Sequence, residues 1–148
     1  MDFFSSKEFK HYNHLINEIE GTYHEMSLKL GLPDSSMIVL YTISNHGDHC
    51  PLADICRQSG LSKQTINSAL RKLETDGVIR LEMAGSKNKT VYLTEAGKEL
   101  AQKTALRIIT AENEIFADWP AEDVEKYLEL TERFLTALKE KAKGVLSK

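Results

Sequence analysis

The chain has 148 residues, 41% of them hydrophobic and 28% charged, which is an ordinary globular composition for one domain of typical size. No stretch approaches the roughly 18 uninterrupted apolar residues of a membrane helix, so a spanning protein is excluded and no membrane partner is expected. The first residues show no basic region leading into an apolar run, and two cysteines cannot build a secreted disulfide framework, so the expected location is cytoplasmic. The formal net charge of -3 does not by itself suggest a polyanion ligand. Between Leu52 and Tyr92, however, seven basic residues face four acidic ones, and the middle of the chain is a local basic island.

In chain order, the first signal is the series Phe9, Tyr12, Ile16, Ile19, Tyr23, Met26 and Leu30, whose spacing alternates three and four. This predicts one long helix with a heptad stripe, ending near Gly31 and Pro33. Residues 34–46 begin with Asp34, Ser35 and Ser36, all capable of capping, and put Met37, Leu40, Tyr41 and Ile43 on one face of a second helix. Pro51 then starts a short helix with Leu52, Ile55 and Cys56 inward, and Gly60 ends it. After Leu61, Ser62 caps a further helix whose buried side is Ile66, Ala69, Leu70 and Leu73, with Gly77 in the stop position. Two short helices joined by a tight turn containing glycine have the dimensions of a helix-turn-helix.

Residues 78–82 and 90–93 are β-prone runs, and residues 83–89 between them read as a polar, cationic hairpin tip. Thr94 caps the next helix, which is expected to continue through Leu100, Leu106, Ile109 and Phe116 until Trp119 and Pro120 interrupt it. The last helix starts near Pro120 and carries a stripe of Val124, Tyr127, Leu128, Thr131, Phe134, Leu135, Leu138 and Ala142. Long apolar faces at both ends of so short a chain are what a homodimer would bury.

The helix of residues 62–76 turns Ser62, Lys63, Gln64, Thr65, Asn67, Ser68, Arg71 and Lys72 outward. Short and amide side chains near its start suit base edges, and Arg71 and Lys72 farther along suit phosphates, so double-stranded DNA is the expected partner. Lys87, Asn88 and Lys89 at the hairpin tip would reach an adjacent minor groove or its phosphates. A solvated polar face is the bland alternative; the turn, the hairpin and the local charge together favour DNA.

The runs Leu52-Ala53-Asp54-Ile55-Cys56, Leu61-Ser62-Lys63-Gln64-Thr65-Ile66-Asn67-Ser68-Ala69-Leu70-Arg71-Lys72-Leu73-Glu74-Thr75-Asp76-Gly77-Val78-Ile79 and Leu93-Thr94-Glu95-Ala96-Gly97-Lys98 resemble the MarR family of bacterial winged helix-turn-helix regulators. The long flanking helices match too, so the resemblance covers nearly the whole chain. It implies a mainly α fold with a small β-hairpin wing. Residues 1–33 and 94–148 would form a helical dimerisation region around a DNA-binding region at 34–93. It further implies a homodimer on a pseudo-palindromic operator, acting as a repressor, with release by a small-molecule effector, metal or oxidant. By the same resemblance, Thr65, Asn67 and Ser68 occupy DNA-touching positions, and residues 87–89 occupy the wing. Many members carry arginine at the position of Ser68 and an Asp-x-Arg wing pattern that would fall near Ala84 and Ser86. Here Lys87 and Lys89 are expected to replace the wing arginine after a small shift of the loop; otherwise the wing contributes little.

Tyr12, Met37 and Tyr41 lie where the resemblance puts effector cavities, although core packing is the favoured reading of all three. His11, His14, His24, His46 and His49 all fall in the first third, with Cys50 adjacent, but they form no compact ligand motif, and no metal or cofactor is assigned. Cys56 reads as an inert small hydrophobe and Cys50 as the more exposed thiol, with His49 its one evident activating neighbour. No phosphate loop, dinucleotide fingerprint, nucleophile elbow or zinc-protease motif is present, so no enzyme activity is expected. The competing readings are a protein-interaction module on a winged-helix scaffold and a non-specific DNA binder.

Overall fold

The computed structural model describes residues 3–85 and 88–147 and is mostly helical. In order the elements are α1 (Lys7–Lys29), α2 (Asp34–His46), β1 (His49–Pro51), α3 (Leu52–Ser59), α4 (Lys63–Thr75), β2 (Ile79–Ala84), β3 (Asn88–Leu93), α5 (Glu95–Lys103), α6 (Ala105–Ala117) and α7 (Ala121–Leu146). The chain divides into two units, residues 1–109 and 110–148.

The first unit holds the core. Val39, Leu40 and Ile43 of α2 pack with Ile55 of α3, Ile66, Ala69, Leu70 and Leu73 of α4, and Val91 and Leu93 of β3, all within one buried cluster. The four inward positions expected of the helix at 62–76 are therefore its buried residues. Ser62 caps α4 by accepting a hydrogen bond from the Thr65 amide at 3.1 Å. Thr94 caps α5 in the same way, accepting from the Gly97 amide at 3.1 Å while its own hydroxyl donates to the Gly77 carbonyl at 2.7 Å.

Five local expectations are corrected. The cap of α2 is Pro33 with no side-chain bond, and Asp34 instead lies in the first turn, where its carboxylate meets His24 Nδ1 at 2.7 Å. Pro51 is the cap of α3 rather than its first residue, and it closes a third strand that the sequence does not announce. That strand pairs with β3 in the register His49 to Tyr92, Cys50 to Val91 and Pro51 to Thr90, giving a sheet of order β1-β3-β2. As an edge position, Pro51 loses little by lacking an N–H. The hairpin ladder runs farther than its β-prone residues do, out to the pair Ala84 and Asn88, because pairing continues until the turn despite weak strand formers. Met83 and Ala84 therefore belong to β2, and Asn88 and Lys89 to β3, rather than to a loop. Finally, the expected single helix after Thr94 breaks at Thr104, whose φ of -130° and ψ of -91° separate α5 from α6. The buried Thr104 hydroxyl donates to the Leu100 carbonyl at 2.7 Å, a local competitor of the helical ladder.

In the second unit, Phe116, Trp119 and Tyr127 gather at the α6 to α7 turn, with ring centroids 5.3 to 6.1 Å apart. Helix α7 buries none of its residues in the single chain. Among the described residues, no helix is long and apolar enough to cross a membrane.

Candidate nucleic-acid interface

Helix α3, the turn and α4 form the helix-turn-helix. Gly60 ends α3 with φ +71°, a left-handed conformation that residues with a Cβ rarely adopt, and Leu61 then leads to the Ser62 cap. The Leu61 amide donates to Ser59 Oγ at 3.2 Å, which ties the turn back to α3.

Ser62, Lys63, Gln64, Thr65, Asn67, Ser68, Arg71 and Lys72 are all exposed, on the side of α4 opposite its buried residues. They do not present equal chemistry. The Ser62 hydroxyl donates to Thr65 Oγ1 at 2.8 Å while accepting from the Thr65 amide, so Ser62 is committed to the cap. Thr65 accepts that bond and keeps its own proton for a partner outside the helix. Lys72 Nζ lies 3.7 Å from Asp76 across one helical turn, an exposed pair of small energetic weight that leaves its charge partly countered. Arg71, one position earlier, has no ionic partner among the described residues.

The sheet supplies the wing. On its outer side, His49, Tyr92 and Arg80 form a row across β1, β3 and β2. The His49 ring stacks on Tyr92 with centroids 5.1 Å apart and planes 20° apart, and the Arg80 guanidinium sits 4.4 Å over the Tyr92 ring. Arg80 is also hydrogen-bonded to Glu82. Asn88 and Lys89 are exposed on β3, whereas Lys87 lies outside the described residues. At the wing root, Asp48 meets His49 Nδ1 at 2.8 Å and Lys98 at 3.6 Å. The His49 bond, followed by the Lys98 charge, holds the Asp48 carboxyl below its ordinary pKa.

The other sequence candidates fall in different places. Met37 is buried in the core at 3% exposure, and Tyr41 is partly buried against that core. Tyr12 is exposed and packs edge-on against Phe9 with ring centroids 5.4 Å apart. Cys50 is not the exposed thiol expected. It is fully buried opposite Val91, and burial, aided by the Asp54 charge, pushes its pKa up to about 11. This is the reverse of an activated thiolate, and Cys56 is the more accessible of the two cysteines.

His46 and Cys50, two members of the histidine and cysteine group noted in the sequence, are brought together with Asp54, which sequence spacing had not signalled, and their ligand atoms lie within 4.8 Å of one another. The residues recur every fourth position but come from a helix, a strand and the next helix, so no single periodicity joins them.

A helix-turn-helix followed by a paired-strand wing defines the molecule as a winged helix-turn-helix protein. Residues 30–86 match the model of the MarR family. No curated protein matches the chain in sequence. Solved structures share its fold. A MarR family regulator from Neisseria meningitidis is 18% identical with a TM-score of 0.81, over 94% of this chain and 99% of that one. A MarR family transcriptional regulator from Streptomyces coelicolor, solved in complex with DNA, is 16% identical with a TM-score of 0.71, over 91% and 94% of the two chains. A Bordetella bronchiseptica protein whose DNA binding is regulated by 6-hydroxynicotinic acid is 14% identical with a TM-score of 0.60, over 84% and 98%.

Proposed function

We propose that the protein is a cytoplasmic, homodimeric repressor that binds a pseudo-palindromic operator and releases it when a small molecule binds. The observation that carries this reading is the fully exposed polar face of α4, held on a helix-turn-helix. Gln64, Thr65, Asn67 and Ser68 approach base edges in the major groove, where amides and hydroxyls exchange donors and acceptors with bases. Lys63, Arg71 and Lys72 contact phosphates, and Ser62 holds the end of α4 in shape. Asn88 and Lys89, together with Lys87 of the same basic segment, form the wing contact. The DNA-bound Streptomyces coelicolor protein supports a duplex as ligand for this fold.

Residues 1–33 and 94–148 form the dimer and residues 34–93 bind DNA. Support comes from apolar side chains left in solvent by the single chain: Phe9, Ile19 and Tyr23 on α1, and Leu128, Leu135 and Leu138 on α7. Effector release is supported by the Bordetella bronchiseptica protein. Tyr12, Met37 and Tyr41 remain the proposed border of the effector site, with Met37 serving the core as well.

Selection of bound fragments from random duplex, followed by titration at several salt concentrations, tests the reading. Each phosphate contact adds about 0.9 to the slope of log affinity against log salt, so Arg71→Ala, present twice per dimer, should lower that slope by about 2 and weaken binding. Affinity without sequence preference would make the protein a non-specific binder. No salt-dependent affinity, with tolerance of Arg71→Ala, would make the scaffold a protein-interaction module.

A further inference from the structure

We propose that His46, Cys50 and Asp54 form a binding site for a divalent transition-metal ion of the zinc type, placed where it ties the base of the helix-turn-helix to the wing. Their donor atoms, one each from imidazole, thiol and carboxylate, lie within 4.8 Å of one another. Ligands around a tetrahedral zinc ion, at about 2.0 to 2.3 Å from the metal, stand roughly 3.3 to 3.8 Å apart. The three side chains therefore need to draw together by at most about 1 to 1.5 Å.

The donor set is selective. A thiolate with an imidazole favours zinc and its neighbours in the transition series over magnesium or calcium, which prefer oxygen alone. Three protein ligands leave a fourth position for water. Cys50 is sealed from solvent while His46 is exposed and Asp54 partly so, which gives a covered sulfur at the back and a wet entrance at the front.

The surroundings already hold the Asp54 carboxylate and place an amide beside the His46 ring. Arg57 donates to Asp54 Oδ1 at 2.5 Å, the outer-layer contact a ligating carboxylate ordinarily has, and Gln58 Nε2, 3.2 Å from His46 Nε2, presents its amide oxygen to that ring nitrogen once the amide turns over and the other nitrogen takes the ion. His49, the neighbour that sequence proximity would have put in such a site, is instead engaged by Asp48 and Tyr92.

Position gives the site its consequence. His46 is the last residue of α2, Cys50 lies in β1 opposite Val91 of β3, and Asp54 is in the first turn of α3. One ion would fasten α2, β1 and α3, which otherwise meet through packing and the contact of Gln58 with His46. On binding, the Cys50 thiol gives up its proton to solvent and the sulfur donates to the metal, so uptake releases one proton per site.

The test uses reduced full-length protein with cobalt(II), then zinc, and no DNA, so its failure leaves the operator reading untouched. Cobalt should bind one equivalent per chain with a thiolate-to-cobalt charge-transfer band in the near ultraviolet, and zinc should bleach that band and raise the melting temperature. Cys50→Ser should abolish the band. Because Cys50 is a core residue, the exposed His46→Ala serves as the second variant. It should fold as the parent does and lower cobalt affinity by about 100-fold or more, since even outer-layer losses cost 10- to 100-fold. No charge-transfer band, or one that survives His46→Ala at unchanged affinity, overturns the proposal.

Discussion

Replacing Gly97 by alanine tests the seating of α5 on the root of the wing. A Cβ at this position would lie 1.9 Å from the Val78 carbonyl oxygen, 3.0 Å from the Val78 carbonyl carbon and 3.4 Å from Leu93 Cβ. The oxygen would have to retreat by about 1.1 Å merely to reach 3.0 Å, and it is backbone, with no rotamer to change. It also accepts the Thr94 amide at 3.1 Å, and Thr94 in turn caps α5 and bonds Gly77. Overpacking costs about 1–3 kcal/mol and loss of a cap about 1 kcal/mol, against about 1 kcal/mol gained from the better helix former. The expected destabilisation is about 1–3 kcal/mol, a large share of a typical 5–15 kcal/mol, and about 2–12 °C in melting temperature for a chain of this size. Gly21→Ala in α1 is the control: no atom lies within 4 Å of its Cβ, so the same substitution should stabilise by about 0.5–1 kcal/mol. Equilibrium urea unfolding at one fixed chain concentration measures both, since a dimer's stability depends on concentration. Equal small shifts in the two variants would refute the close approach of α5 to Val78.

Three further outcomes are expected. Because burial raises the Cys50 pKa from an ordinary 9.0 to about 11, its neutral form is favoured by folding; this stability is complete below about pH 9 and falls as pH rises towards 11. The denaturation midpoint should drop between about pH 9 and pH 11, and Cys50→Ala should remove that part of the drop. At neutral pH a thiol alkylating reagent should modify Cys56 well before Cys50, read by mass spectrometry, because the thiol of Cys50 is both covered and neutral. Leu135→Glu on α7, at 48% exposure, should change the fold of the single chain by no more than about 0.5 kcal/mol yet dissociate the proposed dimer, seen by sedimentation velocity.

What could be read from sequence was what local chemistry decides. Ser62 and Thr94 are caps because a hydroxyl before a helix has an amide to accept from, and Ile66, Ala69, Leu70 and Leu73 follow from a 3.6-residue period. The exposed face of α4 came with them, since burying one side of a helix fixes the other. What was not legible depends on partners distant in the chain. β1 is three residues long and exists because β3 offers a ladder, so neither its strand character nor the burial of Cys50 could be inferred from residues 49–51 alone. The break at Thr104 has no glycine or proline to announce it. Asp54 looks like a first-turn helix acid, and only the fold brings it to His46 and Cys50.

The central claim is that two copies of the α4 polar face enter one duplex together. Hydroxyl-radical and methylation footprinting on a selected operator fragment tests it most directly. The account predicts two protected major-groove segments whose centres lie about 34–36 Å apart, or about 10 base pairs, at a stoichiometry of two chains per duplex. A single protected segment bound by one chain, or a footprint unchanged when Gln64, Asn67 and Ser68 are replaced by alanine, would contradict it.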